Sequence, residues 1–380
     1  MYKKFFMGIA AMAALTLVSC SSDDLNSLSD NSSKNEAISF DGYLGRSAVA
    51  VNGSRGSVLD LNALKGTDLD KKGFGVFGYY NTTDHSSSPD QSFEANLFNN
   101  EQVTCLNGAA DWSYTPLKYW PAQGHIDFYA YAPFETGKTL NKKTSATPTT
   151  TTPTFDFTVS ETIANQTDLL WANSENRTKD NLSSADKNKV KFQFAHALSR
   201  LGYTVKLNKA YAHATITLNN ITLAGSSENA ETGAFYTKGT IDLSKPSTEN
   251  PWTPLDKDNK LKFDWFSNDN TSSDNTLSSE DDKAIKNSGN EYLFVIPQDF
   301  SSTNTESNQL YVIVKYTIQY DEGTAQPKVS YTVYKKLEKN FLRGNAYTIN
   351  LNIGLTPIEF DADVTPWNPK DGESIDASWN

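Results

Sequence analysis

The sequence is poor in the residues that usually carry chemistry. It has two cysteines and four histidines among its 380 residues. None of the histidines lies in an H-E-x-x-H motif or at zinc-site spacing from a cysteine, and there is no G-x-S-x-G motif. So few cysteines also exclude a disulfide-rich scaffold. The sequence therefore predicts a protein that is not an enzyme and has no catalytic residues, no metal site and no cofactor.

Positive charge and long apolar runs are also scarce. The formal net charge is −11, and removal of a leader that contains Lys3 and Lys4 would make it more negative. An acidic surface repels phosphate groups, so nucleic acid is excluded as a partner. After residue 18 no segment approaches the roughly 18 consecutive apolar residues of a membrane-spanning helix.

The one long apolar run lies at the N-terminus. Lys3 and Lys4 precede the apolar residues 5–18, a pattern typical of a signal peptide over residues 1–19. The run ends in Leu17-Val18-Ser19-Cys20, which resembles the lipobox of bacterial lipoproteins. This resemblance implies that Cys20 is acylated and anchors the mature chain to a membrane through lipid. An ordinary secretory signal with an incidental cysteine is the alternative.

Residues 20–35 form an acidic, serine-rich tether. Its Ser21-Ser22-Asp23-Asp24 stretch resembles the surface-export signal of lipoproteins in Gram-negative anaerobes, which implies a surface-exposed lipoprotein of the cell outer membrane. A solvated linker in a periplasmic protein is the alternative. With Cys20 acylated, Cys105 has no partner for an intramolecular disulfide, and we expect it to be a small buried residue.

The rest of the chain alternates apolar and polar residues in short stretches, and no long amphipathic helix stands out. This pattern predicts an all-β protein with two tandem β-sandwich domains, residues 36–188 and 189–380, which meet near a polar stretch at 179–189. The predicted strands are 38–44, 74–80, 112–120, 126–131, 155–159, 168–171, 190–194, 203–207, 214–223, 292–296, 310–320, 329–334, 347–353 and 358–364.

Three patterns that suggest binding sites have simpler structural interpretations. Gly73 to Gly78 match G-x-G-x-x-G, but a dinucleotide site needs a following helix, and this stretch continues as a strand. His196 lies in an apolar run and is expected to be a hydrogen-bonded structural histidine. The acidic residues Asp256, Asp258 and 280–282 lack the spacing of a calcium loop, so solvated loop charge is favoured.

Aromatic residues are concentrated between positions 112 and 131. They fit either a platform that stacks on sugars or a packed core, and we favour the core because aromatics occupy both strand faces. The six residues are Trp112, Tyr114, Tyr119, Trp120, Tyr129 and Tyr131.

The order of several loose motifs along the mature chain resembles the fimbrillin family, the type V pilins of Gram-negative anaerobes. The motifs follow the lipobox cysteine and an early strand that ends at an arginine. They are Phe74-Gly-Val-Phe-Gly-Tyr79, Tyr114-Thr-Pro-Leu-Lys-Tyr-Trp-Pro121, Ile126-Asp-Phe-Tyr-Ala-Tyr-Ala-Pro133, Phe192-Gln-Phe-Ala-His-Ala-Leu-Ser199 and the segment 358–367.

The resemblance implies a fold, an assembly mechanism and partners. Each domain would be a transthyretin-like β-sandwich. In polymerising members an arginine-specific protease removes the lipid and the first strand, and a strand from a neighbouring subunit fills the groove. The implied partners are other fimbrial subunits, that protease, the outer membrane through the lipid on Cys20, and a receptor on a host or bacterial surface.

The required parts can be placed on this sequence. The removable strand is 38–44, and Arg46 follows it, with Arg55 as the next cleavage candidate. Arg46 is preferred because a cut there removes the whole predicted strand and little else, although it also fits an ordinary loop arginine.

The donor strand would lie in the segment 358–364. Its apolar side chains alternate, as a donor strand requires, and they are Ile358, Phe360, Ala362 and Val364. The alternative is a permanent edge strand of the second domain.

The sequence therefore predicts a fimbrial subunit or fimbrillin-like adhesin located in fimbriae at the cell surface. A monomeric surface lipoprotein that binds glycans through the aromatic residues 112–131 is the alternative. No pattern in the sequence separates a stalk, tip or anchor role.

Overall fold

The structure is a computed structural model that describes residues 36–44, 64–65, 72–82, 96–105, 111–143, 150–186, 188–268, 275–287, 292–320, 328–356 and 361–366. Throughout these ranges the chain is nearly all β, and its helical elements are short 3-10 turns. No helix in the described ranges is long and apolar enough to cross a membrane. The all-β prediction is confirmed.

The strands are numbered here in chain order. They are β1 (Phe40–Leu44), β2 (Phe74–Asn81), β3 (Phe98–Val103), β4 (His125–Ala132), β5 (Lys142–Lys143), β6 (Thr150–Thr151), β7 (Thr154–Thr158), β8 (Leu170–Arg177), β9 (Val190–His196), β10 (Ser199–Leu207), β11 (Ala214–Ala224), β12 (Phe235–Asp242), β13 (Trp252–Leu261), β14 (Phe263–Ser267), β15 (Ile285–Lys286), β16 (Leu293–Val295), β17 (Gln298–Asp299), β18 (Tyr311–Tyr320), β19 (Val329–Lys336), β20 (Asn340–Phe341), β21 (Ala346–Ile353) and β22 (Asp361–Pro366).

Four sheets carry most of the strands. The largest has the order β1-β9-β8-β4-β2-β3, with β1 at one edge. The others have the orders β15-β10-β21-β22, with β16 beside β10, then β14-β11-β18-β19, and β13-β12-β7. Most neighbours are antiparallel, whereas β1 runs parallel to β9 and β10 runs parallel to β21.

The largest sheet is covered on both faces. Strand β4 is buried along its whole length: Ile126 and Phe128 point into one apolar cluster, and Tyr129 and Tyr131 point into another. We name the first the N-terminal cluster, because its buried residues lie between positions 38 and 194, and the second the central cluster, which extends to position 362. Burial of both faces explains why this strand is almost continuously apolar in sequence.

Most predicted strands are confirmed, but the strand predicted over 112–120 is wrong. This segment makes isolated bridges, Thr104 with Ser113 and Ala37 with Tyr119, instead of a continuous ladder. Pro116 in its middle has no N–H to donate, so a regular ladder is interrupted there. Strands β3, β12 and β13 were not predicted. For β3 and β13 the reason is that they are largely polar and half-exposed, so they lack the apolar pattern of the predicted strands.

Several contacts join residues on either side of position 188. Strand β7 pairs with β12, the indole nitrogen of Trp171 donates to the carbonyl of Lys245 at 3.1 Å, and that of Trp252 donates to Ala197 at 2.7 Å. The central cluster also includes residues from both sides. The division into two domains at this position stays a prediction.

Candidate functional site

The first strand lies in a groove at the edge of the largest sheet. Residues 36–38 bond to the segment 118–120, where Ile38 N donates to Lys118 O at 2.8 Å and Trp120 N donates to Glu36 O at 3.0 Å. Strand β1 then runs parallel to β9, and Val190 N donates to Ser39 O at 2.8 Å. The predicted strand 38–44 is therefore confirmed as a paired edge element.

The inward side chains of this segment fill an aromatic pocket. Ile38 and Phe40 are each 1% exposed and belong to the N-terminal cluster. The Phe40 ring centroid lies 5.3–5.7 Å from the centroids of four rings, and aromatic pairs at such distances each contribute about 0.5–1.5 kcal/mol beyond burial. The four rings belong to Phe98, Tyr114, Phe128 and Phe192.

Tyr114 connects the pocket to the strand backbone. Its hydroxyl donates to Ile38 O at 2.8 Å and accepts from Lys118 N at 3.2 Å. Burial raises the pKa of Tyr114 above its ordinary value, and the nearby charge of Glu101 raises it further. The hydroxyl therefore stays protonated at neutral pH and holds the strand as a donor.

Lys118 fastens the segment 111–120 over the pocket. Its ammonium lies 2.8 Å from Glu101 Oε2, 2.6 Å from the carbonyl of Leu97 and 4.5 Å from the centre of the Phe98 ring. Because Glu101 and Phe98 belong to β3, this lysine ties one wall of the groove to the far edge of the sheet.

The outward side of β1 is charged and accessible. Asp41 is the register partner of Lys191, whose ammonium lies 4.8 Å from the centre of the Tyr43 ring. Tyr43 is 39% exposed. A hydrogen bond to Asp186 raises the pKa of Lys191, with smaller contributions from Tyr43 and Asp41. Lys191 is thus a fixed positive charge beside the strand.

The C-terminal candidate also occupies a sheet edge. Strand β22 pairs antiparallel with β21, with Ala362 opposite Leu351 and Val364 opposite Ile349. Ala362 is buried in the central cluster, and Val364 packs against it. This position is compatible with a donor strand and with a permanent edge strand, so the donor role stays a prediction.

The other predicted site residues lie outside the described residues. They are the lipidation residue Cys20, the cleavage candidates Arg46 and Arg55, and the donor-strand residues Ile358 and Phe360.

The aromatic residues between 112 and 131 form core, as the favoured interpretation predicted. Five of the six rings are buried, and Tyr119 is the exposed one, at 48%. Trp112 and Trp120 face the N-terminal cluster, and Tyr129 and Tyr131 face the central cluster. A buried ring presents no face on which a sugar could stack.

Three further predictions are confirmed by the geometry. The G-x-G-x-x-G stretch lies in β2 and its preceding turn, and Cys105 is a buried residue of the N-terminal cluster. His196 is a structural residue, because its Nδ1 lies 2.8 Å from Asp168 Oδ2 and both side chains are 1% exposed.

The sequence did not predict that a cation, Arg200, is buried near Asp168 and His196. Burial lowers the pKa of Arg200 to about 10, and Tyr292 and Asp168 oppose that shift. The guanidinium carbon of Arg200 lies 4.4 Å from the centre of the Tyr292 ring. Its partners are distant in sequence, so only the fold reveals them.

Comparison with known proteins assigns the fold. The model of the family described as Fimbrillin-like matches residues 63–367. A fimbrial protein from Bacteroides vulgatus ATCC 8482 is 22% identical, with a TM-score of 0.62 over 87% of this chain and 98% of that chain. No curated protein matches the sequence.

Two further solved structures are more distant. A proposed cell adhesion protein from Bacteroides uniformis ATCC 8492 is 14% identical, with a TM-score of 0.44 over 88% of this chain and 98% of that chain. The tip fimbrial protein Mfa3 from Porphyromonas gingivalis is 9% identical, with a TM-score of 0.35 over 78% and 94%.

Proposed function

Because this chain belongs to the Fimbrillin-like family, we propose that it is a structural subunit of a surface fibre or a fimbrillin-like adhesin. The chain is exported as a lipoprotein acylated on Cys20 and reaches the outer surface of the outer membrane. An arginine-specific protease cuts after Arg46 or Arg55, which removes the lipid together with β1. A strand from a neighbouring subunit then fills the vacated groove.

One observation carries this proposal: β1 is an edge strand whose inward side chains fill an aromatic pocket. An edge strand belongs to one ladder, here the one with β9, so its removal breaks that ladder and the two hydrogen bonds of residues 36–38 to Lys118 and Trp120. Its loss would expose the rings of Phe98, Tyr114, Phe128 and Phe192 together with the backbone of β9. Such a surface favours capture of another strand, because main-chain bonds and side-chain pockets both become available.

The position of the cleavage candidates supports removal of this strand. Strand β1 ends at Leu44, two residues before Arg46. A cut after Arg46 would remove all of the paired segment 36–44 and leave β2 and the following strands intact.

The first test is the N-terminal sequence and intact mass of the protein recovered from the cell surface. A chain that begins at Ser47 or Gly56 without lipid supports the proposal. A main population that still begins at acylated Cys20 contradicts proteolytic maturation.

Cleavage-site variants connect maturation to assembly. We expect Arg46→Ala to abolish the denaturant-resistant ladder of multimers on gels, with Arg55→Ala as the matched control that keeps it. If Arg55→Ala abolishes the ladder and Arg46→Ala keeps it, the protease cuts after Arg55 instead. Full ladders in both single variants and in the double variant would contradict arginine-specific maturation.

A further inference from the structure

A lysine and an asparagine from distant segments meet beside a carboxylate. Lys260 lies near the end of β13, and Asn308 lies in the loop that precedes β18. The Lys260 ammonium donates to Asn308 Oδ1 at 2.8 Å. Because a carbonyl bond is about 1.2 Å long, the lysine nitrogen lies within about 4 Å of the carboxamide carbon Cγ. A small movement brings these two atoms to the distance at which a nucleophile attacks.

We infer that Lys260 and Asn308 form an intramolecular isopeptide bond in the folded chain. The bond between Nζ and Cγ forms, and the bond between Cγ and Nδ2 breaks. One lysine ammonium and one carboxamide give one secondary amide and one ammonium ion, so atoms and charge balance without a further reactant. The reaction needs only the folded monomer, and the inference is therefore independent of the proposed function.

The carboxamide of Asn308 is buried and fixed in orientation. The residue is 3% exposed, and its Nδ2 donates to Asp299 O and to Glu306 Oε2, each at 3.3 Å. Its backbone is held by Asn304, whose Oδ1 accepts from Asn308 N at 2.8 Å and whose Nδ2 donates to Asn308 O at 3.1 Å. The carbonyl oxygen therefore stays turned towards Lys260, and the leaving nitrogen stays beside the carboxylate.

The surroundings of Lys260 favour its neutral amine. The residue is half-buried, and its nitrogen lies 5.5 Å from the centre of the Tyr236 ring. Burial lowers the pKa of Lys260, and the charge of Lys257 lowers it further, against the opposing charges of Glu306 and Asp258. A lower pKa increases the unprotonated fraction, and the unprotonated amine is the nucleophile.

Glu306 supplies the proton acceptor that the reaction needs. Hydrogen bonds from Lys257 and Tyr236 lower the pKa of Glu306 to about 2, so its carboxylate is ionised at neutral pH. The carboxylate accepts a proton from the attacking lysine nitrogen and passes it to the leaving Nδ2 of Asn308, 3.3 Å away. Tyr236 donates to the same carboxylate oxygen and positions it.

The bond would fasten a sheet edge to the chain that enters β18. Strand β13 is the edge of the sheet β13-β12-β7, and most of its residues are half-buried or exposed. Lys260 and Asn308 are 48 positions apart. A covalent link over this distance restricts the unfolded chain, as a disulfide does, and it keeps the exposed edge strand attached to the loop before β18.

Intact mass tests the inference without a variant. The purified chain from Ser21 onward should weigh less than its sequence by the mass of one ammonia molecule. After digestion with trypsin, residues 258–262 should remain joined to residues 287–315, because an acylated Lys260 is no longer cleaved. Recovery of 258–260 and 287–315 as separate peptides of full mass would overturn the inference.

Variants assign the loss of ammonia to this pair. Lys260→Arg and Asn308→Ala should each restore the full mass, because neither can form the bond. Lys257→Arg is the matched control: it keeps the positive charge beside Glu306 and should keep the lower mass. A lower mass that persists in Lys260→Arg would overturn the inference, because an asparagine that cyclises on its own backbone loses ammonia as well.

A further variant tests the carboxylate. Glu306→Gln keeps the shape of the side chain but accepts a proton poorly, so most of the freshly purified variant should have the full mass. Complete cross-linking in Glu306→Gln would overturn the role assigned to Glu306.

Discussion

At the scale of single residues, the two sides of β1 have different roles. Phe40 is buried among four rings, whereas Tyr43 on the same strand is 39% exposed. The inward side chain holds the strand in its groove, and the outward one contacts Lys191 near solvent.

We expect Phe40→Ala to lower the free energy of unfolding by about 3–5 kcal/mol, because it leaves a cavity among rings that cannot collapse. The matched control Tyr43→Ala should change the free energy by no more than about 1 kcal/mol. Urea titration of the uncleaved chain measures both. Equal losses for the two variants would mean that the pocket does not hold the strand.

Buried tyrosines make the stability depend on alkaline pH. Burial raises the pKa of Tyr129 and Tyr131 far above the ordinary value, and burial together with a hydrogen bond to Glu306 raises the pKa of Tyr236 to about 12. These groups are neutral in the folded chain and ionise more easily when it unfolds. Their contribution to stability is complete below about pH 10 and declines as the pH rises further.

We expect these tyrosines to leave the urea midpoint unchanged at about pH 8–9.5. The midpoint should then fall between about pH 10 and 12, because the tyrosines ionise in the unfolded chain over this range. Tyr129→Phe should reduce the slope of that fall, and the exposed Tyr119→Phe serves as the control. An identical slope in Tyr129→Phe and the wild type would contradict the assignment.

At the scale of elements, the turn before β2 depends on a glycine. Gly73 has φ of +66°, and a Cβ there would lie 1.9 Å from the carbonyl oxygen of Val103 on β3. Gly137 has a similar φ of +78° but nothing within 4 Å of such a Cβ. The two positions share the left-handed backbone and differ in available space.

Gly137→Ala should therefore cost about 1–2 kcal/mol, the cost of a left-handed alanine. Gly73→Ala should cost clearly more, because β2 and β3 must also separate. Thermal unfolding of both variants measures the difference. Equal melting temperatures would show that β3 shifts without cost, and that the positive φ alone determines the loss of stability in both variants.

At the scale of the whole molecule, apolar packing and strand pairing connect the two predicted domains. The central cluster contains Phe77 and Tyr129 together with Leu201 and Ile349, and β7 pairs with β12 across position 188. Units that share a core unfold together, whereas units with separate cores unfold separately.

We expect calorimetry of residues 36–380 to show one transition with a calorimetric enthalpy close to the van't Hoff enthalpy. Trp252→Phe, which loses the hydrogen bond to Ala197 O, should lower the midpoint temperature of that transition without splitting it in two. Two resolved transitions in the wild type would instead support independent domains that divide near position 188.

Sequence alternation was sufficient for many elements and insufficient for others. Strands β2, β4 and β18 were predicted within one or two residues, because each is a run of strand length that is rich in apolar and aromatic residues. The segment 112–120 is also rich in aromatic residues, but its pairing within the described residues is only two isolated bridges. Strand β13 was missed because its polar residues gain their partners from distant β12.

By itself, the sequence determined the all-β class, because strand patterns are local, and the order of its motifs resembles the fimbrillin family. That resemblance implies the candidate residues Cys20, Arg46 and Phe360, whose roles stay predictions. The tertiary structure alone decided that β1 is an edge strand parallel to β9 and that Tyr114 holds its backbone. It also placed the Phe40 ring among residues up to 152 positions away, at Phe192. Such contacts join segments far apart in the chain, and only packing and hydrogen bonding in the folded state bring them together.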